Sequence, residues 1–338
     1  MTIRFLLLSL LLLSPFAHAI NILSINTELA QGQKAVTTAD FNTLVEKNSN
    51  SDEVDSYVTL INNSKADIVG LTEPADKRLA EDVAQELGDK WQLIVRENRN
   101  SSTGLRVSLL SRLPVVEGSI NNLANQYGFS RHEKHRAKPD AVLAAGFELD
   151  DKRYYAVVSY LTAGTGDYAE VRYAQADALR NALFTHCRDN YDHCILMGNM
   201  NDEPESQAVK RAQGVDGIFG DKVALQQAKL MQGSGPMETF GSGTNAAQGD
   251  QIMSTLQGTA TLYPSNPSFS AHKSLLFISR DPLDSEKPSK KIKRDRKKMA
   301  AYYKTQHLQQ VVEKQKSYIE SLEIEKAHLQ QLLNTSGH

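Results

Sequence analysis

Nine short apolar runs, separated by two different kinds of spacer, constrain what this chain can fold into. They cover Ile22 to Asn26, Ala66 to Thr72, Trp91 to Arg96, Leu105 to Ser111, Ala141 to Leu149, Tyr154 to Leu161, Cys194 to Asn199, Gln251 to Leu256 and Ser274 to Ser279. Each has strand length and is bounded by turn-forming residues. Between Ala141–Leu149 and Tyr154–Leu161 there is room only for the turn Asp150-Asp151-Lys152-Arg153, which requires an antiparallel hairpin. Between Tyr154–Leu161 and Cys194–Asn199 lies the amphipathic stretch Glu170 to Cys187, long enough for a helical crossover. Helical spacing also marks Glu53 to Asn63, Asp76 to Leu87 and Glu205 to Ala212. A chain that mixes hairpins with crossovers predicts an α/β fold of mixed sheets with helices outside, and excludes a purely parallel doubly wound sheet.

The ends of the chain read differently. Residues 1–19 carry Arg4, a short apolar run from Phe5 to Leu13 and the ending Ala17-His18-Ala19, the pattern of a secretory signal cleaved after Ala19. The run falls short of the roughly 20 residues that span a bilayer, and no later stretch is long and apolar enough to do so. The expected location is secreted or periplasmic. In that setting the two cysteines, Cys187 and Cys194, are expected to close a short loop as a disulfide rather than stay as free thiols. His186 and His193 stand beside them, but a zinc site draws on a second spaced pair that the chain lacks.

From Asp281 onward there are twelve Lys and Arg against eight Asp and Glu, which leaves twenty-six against thirty-two for the rest. An acidic body is the wrong balance for gripping duplex nucleic acid. Residues 281–298 form a polar, basic linker, with eight basic residues between Lys287 and Lys298. The linker is open to contact with an anionic surface or to a bland role as solvated connector. In residues 299–338, Leu308, Val312, Gln315, Ile319, Leu322, Lys326, Leu329 and Leu333 keep alternating spacings of four and three. That repeat predicts a C-terminal coiled-coil helix, with Val312 and Ile319 at one seam position favouring parallel self-association.

Six run ends carry polar residues: Asn26, Glu73, Tyr160, Asn199 with Asn201, Asp250, and His272. Polar groups collected at strand tips are where α/β enzymes place chemistry. The segments around them, Ile22-Leu23-Ser24-Ile25-Asn26, Ala66-Asp67-Ile68-Val69-Gly70-Leu71-Thr72-Glu73, Gly104 to Arg112 followed by Pro114, Tyr155 to Leu161, Ile195 to Pro204, Gly249-Asp250-Gln251-Ile252 and Phe269-Ser270-Ala271-His272, resemble in order those of the endonuclease/exonuclease/phosphatase superfamily. The resemblance spans residues 20–280 and implies a four-layer sandwich of two packed mixed β-sheets flanked by helices.

It also implies a metal-dependent phosphodiesterase, a nuclease-like hydrolase using Mg²⁺ or Mn²⁺. By resemblance Glu73 holds the metal with help from Asn26. Asp250 orients His272, and His272, Tyr160 and Asn201 donate to the phosphate. Two departures matter. The family's Gly-Asp-x-Asn reads Gly198-Asn199-Met200-Asn201 here, and its Ser-Asp-His reads Ser270-Ala271-His272. A carboxamide at 199 cannot accept a proton from water, which removes general-base help worth about 10²- to 10⁴-fold. Loss of the carboxylate before His272 weakens magnesium binding, since that ion relies on hard anionic oxygens. Two readings therefore stand: a phosphodiesterase of weak or unusual activity, with Asp202 or Glu203 as substitute base, or a pseudoenzyme that binds a phosphate ligand or acts as a scaffold and oligomerises through its coiled coil.

Overall fold

The computed structural model describes residues 19–27, 51–72, 77–95, 107–121, 123, 126–130, 135–139, 141–164, 166–187, 190–214, 225–227, 229–230, 239, 248–263, 270 and 272–279. The signal segment, Glu73, Ala271, the basic linker and the C-terminal helix expected from sequence lie outside the described residues.

The elements run β1 (Asn21–Asn26), α1 (Ser51–Ser64), β2 (Ile68–Thr72), α2 (Lys77–Leu87), β3 (Gln92–Val95), β4 (Val107–Ser111), β5 (Gly128–Phe129), β6 (Arg136–Ala137), β7 (Ala141–Leu149) and β8 (Lys152–Tyr160). They continue through α3 (Tyr168–His186), β9 (His193–Asn199), α4 (Gln207–Gln213), β10 (Gln226–Gln227), β11 (Lys229–Leu230), β12 (Asp250–Ser254), β13 (Gly258–Tyr263) and β14 (Ser274–Ser279).

One sheet has the order β11-β13-β14-β1-β2-β4-β3 and the second β10-β12-β9-β8-β7, while β5 and β6 form a separate hairpin. Both large sheets are mixed. The pairs β1–β2 and β8–β9 are parallel, each joined by a helix, whereas β7–β8 and β1–β14 are antiparallel. The Asp150-Asp151 turn places both residues at positive φ, 50° and 60°, as a tight hairpin between twisted strands requires.

The period-2 alternation of each strand sorts its side chains into layers. Between the sheets, Ile22, Ile68, Leu109, Leu275 and Phe277 pack on Leu143, Ala156, Val158, Ile195, Met197 and Ile252. On the outer face of the first sheet, Leu23, Ile25, Val69, Leu71 and Leu110 meet Val54, Tyr57 and Ile61 of α1 and Leu79, Ala80 and Val83 of α2. On the outer face of the second, Tyr155, Val157, Leu196 and Met253 meet Leu179, Ala182 and Leu183 of α3 and Ala208, Val209 and Ala212 of α4. Helix, sheet, sheet, helix is the four-layer order expected, and each fully buried Leu or Ile contributes about 1.5–3 kcal/mol to it.

Three boundaries differ informatively. α4 starts at Gln207 rather than Glu205, because Ser206 caps it: the Ser206 hydroxyl accepts from Val209 N at 3.2 Å. α4 stops at Gly214, whose φ of 77° favours glycine. The strand β13 was not expected from sequence, since only Ala260 of its six residues is buried and its alternation of Thr259 and Thr261 with Ala260 and Leu262 is short and weakly apolar. Cys187 and Cys194 are joined by a disulfide with Cα atoms 5.9 Å apart, linking the end of α3 to the start of β9.

Candidate active site

The tips of four strands from both sheets converge on Asp250. It is the first residue of β12 and the register partner of Asn199, the last of β9, whose other neighbour across the ladder is Tyr160 at the end of β8. From the first sheet come Asn26, the last residue of β1, and His272, which precedes β14. Asn26 Nδ2 donates to Asp250 Oδ1 at 2.9 Å, and His272 Nδ1 lies 2.5 Å from Asp250 Oδ2. This array joins the two sheets by side chains 224 and 22 residues apart in sequence. All three are buried, Asn26 and Asp250 at 2% exposure and His272 at 4%.

Backbone support is dense. Ser270 Oγ donates to Asn26 O at 2.7 Å and accepts from His272 N at 3.0 Å, so one hydroxyl aligns the two partners of Asp250. Thr239 Oγ1 accepts from Asp250 N at 3.1 Å, and Thr239 O accepts from Lys273 N at 2.7 Å. Neither was singled out from sequence. Ser270 stood inside a recognised segment and could have been; Thr239 lies in a stretch with no distinguishing pattern.

The turn after β9 is equally constrained. Gly198 has φ +124°, and a Cβ there would collide with Ser159 O, so β9 can approach β8 this closely only with glycine. Asn199 Oδ1 accepts from Asn201 N at 2.7 Å, and Asn201, at φ 49°, turns its amide to donate to Leu161 O at 2.6 Å. Asp202 accepts from Arg172 Nε at 3.2 Å through Oδ2 and from Glu203 N at 3.1 Å through Oδ1. Arg172 also donates to Gly164 O at 2.6 Å, and Gln251 Nε2 donates to Asp202 O at 2.7 Å.

Both carboxylate oxygens of Asp202, expected as one candidate for a substitute base, are bonded within this turn. Glu203 is exposed, and its Oε1 accepts from Gln248 N at 3.2 Å. Tyr160 is buried within the core between the sheets. The structure thus brings Asn26, Asp250 and His272 into direct contact and sets Asn199, Asn201 and Tyr160 on the adjoining strand ends, while Glu73 follows immediately on β2 outside the described residues.

The described donors do not by themselves fit a divalent cation. Asp250 is the carboxylate among them, and both its oxygens are engaged by Asn26 and His272. Among the described residues, no group of three or more His, Cys, Asp and Glu side chains could hold a metal ion. What the array can do is hold an imidazole in one tautomer and orientation. With Nδ1 facing Asp250, the protonated ring presents Nε2–H on its far side, the arrangement that stabilises an imidazolium and aims it.

The chain matches the Endonuclease/Exonuclease/phosphatase family over residues 23–274 and belongs to it. No curated protein sequence matches the chain. Similar solved structures include TDP2 of D. rerio humanised by 14 mutations, with TM-score 0.51, 14% identity and coverage of 78% of this chain and 99% of that one. The human Nocturnin catalytic domain with bound sulfate anion has TM-score 0.51, 19% identity and coverage of 77% and 93%. A double mutant of the Staphylococcus aureus beta toxin with bound magnesium ions has TM-score 0.52, 13% identity and coverage of 78% and 100%. At these identities the likeness concerns the fold.

Proposed function

We propose that this protein is an exported phosphodiester hydrolase, nuclease-like or phosphatase-like, that turns over slowly. The observation that carries this reading is the Asn26–Asp250–His272 array, buried and supported by Ser270 and Thr239. Asp250 stabilises the protonated form of His272 and keeps Nδ1 on its own side, so that Nε2–H donates to a phosphoryl oxygen as negative charge builds there. Asn26 holds the second Asp250 oxygen and prevents the carboxylate from rotating away. Attack by water then lacks a base at position 199, because a carboxamide takes up no proton; hence the slow turnover.

A Mg²⁺ or Mn²⁺ ion would supply charge stabilisation at the phosphoryl oxygens. Because the described donors do not fit it alone, no step is assigned to it, and Glu73 is the residue whose loss would report on it. Export is supported by the signal-like residues 1–19 and by the Cys187–Cys194 disulfide.

Asn199 itself favours a second reading: a silent protein that keeps phosphate binding and self-associates through residues 299–338, with the basic linker at an anionic surface. The test is hydrolysis of a generic phosphodiester and of plasmid DNA by mature protein with Mg²⁺ or Mn²⁺, beside His272→Ala and Glu73→Ala. Activity lost in the variants supports the hydrolase. Folded but inert wild-type protein transfers the case to the silent binder.

A further inference from the structure

We infer that Asn199 is a hydrogen-bond donor to a phosphate oxyanion, so that the replacement of the family's carboxylate has turned a proton-accepting position into an anion-binding one. This rests on the phosphodiester reading above and concerns how the phosphoryl group is held.

The orientation of the amide follows from chemistry. The Asn201 N–H can only donate, so the Asn199 atom 2.7 Å from it is Oδ1. That fixes Nδ2 on the other branch of the carboxamide. Asn199 is 1% exposed, and its NH₂ group has no acceptor among the described residues. The turn carrying it cannot swing readily, because Asn201 is tied to Leu161, and Asp202 to Arg172 and Gln251.

A second unpaired group lies at the end of β2. Thr72 Oγ1 is fully buried without a hydrogen-bond partner. Thr72 is the register partner of Asn26 across β1–β2, and its methyl group would lie 3.0 Å from a Cβ on Gly198. Buried polar groups are nearly always satisfied. The buried Thr72 hydroxyl and the Asn199 amide, at the tip that also carries His272, are both available to donate, and a tetrahedral oxyanion brings several acceptors.

The local charge agrees. Both oxygens of Asp250 are already bonded to Asn26 and His272, so its charge is spent on those donors rather than directed at an incoming anion. At position 199 an aspartate would meet the anion with like charge, whereas the amide meets it with N–H.

The experiment is calorimetric titration of inorganic phosphate into full-length mature protein in EDTA, for wild type and Asn199→Asp. The variant is nearly isosteric and still accepts from Asn201 N, so the turn should survive. The expected result is metal-free phosphate binding that weakens about tenfold or more in Asn199→Asp, the scale of a hydrogen bond to a charged group. Should the variant misfold, the side-chain amide resonance of Asn199 in wild-type protein decides: it should shift on adding phosphate in EDTA. No binding by the wild type, equal affinity in both proteins, an unmoved resonance, or binding that requires Mg²⁺ and improves in Asn199→Asp would each overturn the assignment. Hydrolysis is not read here, so phosphate binding that depends on Asn199 in a protein without turnover upholds the donor role while removing the hydrolase reading.

Discussion

Asp67 and Asp250 are both buried carboxylates that tie neighbouring elements together, one where β1 and β2 begin and the other at the far tip of β1. Asp67 accepts from Arg112 Nε and from Asn21 N, each at 2.8 Å. Asp177 is of the same kind: it pairs with buried Arg211 and accepts from Phe129 N at 3.0 Å. Their cationic partners keep their charge at every accessible pH, so each cluster has one state and serves as a staple. The partners of Asp250 are a neutral amide and an imidazole, which unlike a guanidinium can both donate and accept a hydrogen bond. The difference between staple and working site lies in the partner, not in the depth of burial or the number of hydrogen bonds.

That contrast can be broken from either side. The largest effect is expected for His272→Ala, which should lower phosphodiester hydrolysis by about 10²- to 10⁴-fold with a smaller loss of stability than Asp177→Ala, because Asn26 still bonds Asp250; an equal loss of stability without loss of activity would make Asp250 a staple as well. Asp177→Ala should instead remove the carboxylate that pairs with buried Arg211, costing about 3–5 kcal/mol in denaturant unfolding while the pH–rate profile of the remaining folded protein keeps its shape. Replacing Cys187 and Cys194 by serine should cost about 2–3 kcal/mol, the chain-entropy value for so short a loop, again with little change in turnover. The sheet tip with Asn199 lies at the other end of β9 from Cys194.

The smallest effect concerns His186, which stacks on Tyr155 with ring centroids 6.2 Å apart. Burial lowers its pKa below the ordinary 6.5, so the folded state favours the neutral ring. The corresponding stability is present above the unfolded value and is lost as pH falls through the lowered folded value. Melting temperature should therefore decline on acidification below about pH 6.5, and less so in His186→Gln. The neighbouring phenol contributes no such dependence in that range, because burial pushes Tyr155 up to about 12, against the lowering effect of its hydrogen bond from Asn121.

Much of the fold was legible because its signals are local. Ala141–Leu149 and Ser274–Ser279 form the strands expected, residue for residue, since each is a continuous or near-continuous apolar run buried on both faces. β13 was invisible for the opposite reason, and the two-residue strands are too short for any periodicity. At the site, the sequence supplied the members but not the wiring. The bond from the Asn26 amide Nδ2 to Asp250 spans 224 residues and two sheets, a contact with no local trace. The pairing of Asp202 with Arg172, thirty residues earlier on α3, is likewise without a local signal.

The rate of hydrolysis of a generic phosphodiester by mature wild-type protein and by His272→Ala, both with Mg²⁺ or Mn²⁺, tests the role of the Asp250–His272 pair most directly. Slow but measurable turnover is expected of the wild type and none above background in the variant. Equal rates in the two proteins, or a folded wild type that never turns over, would contradict that role.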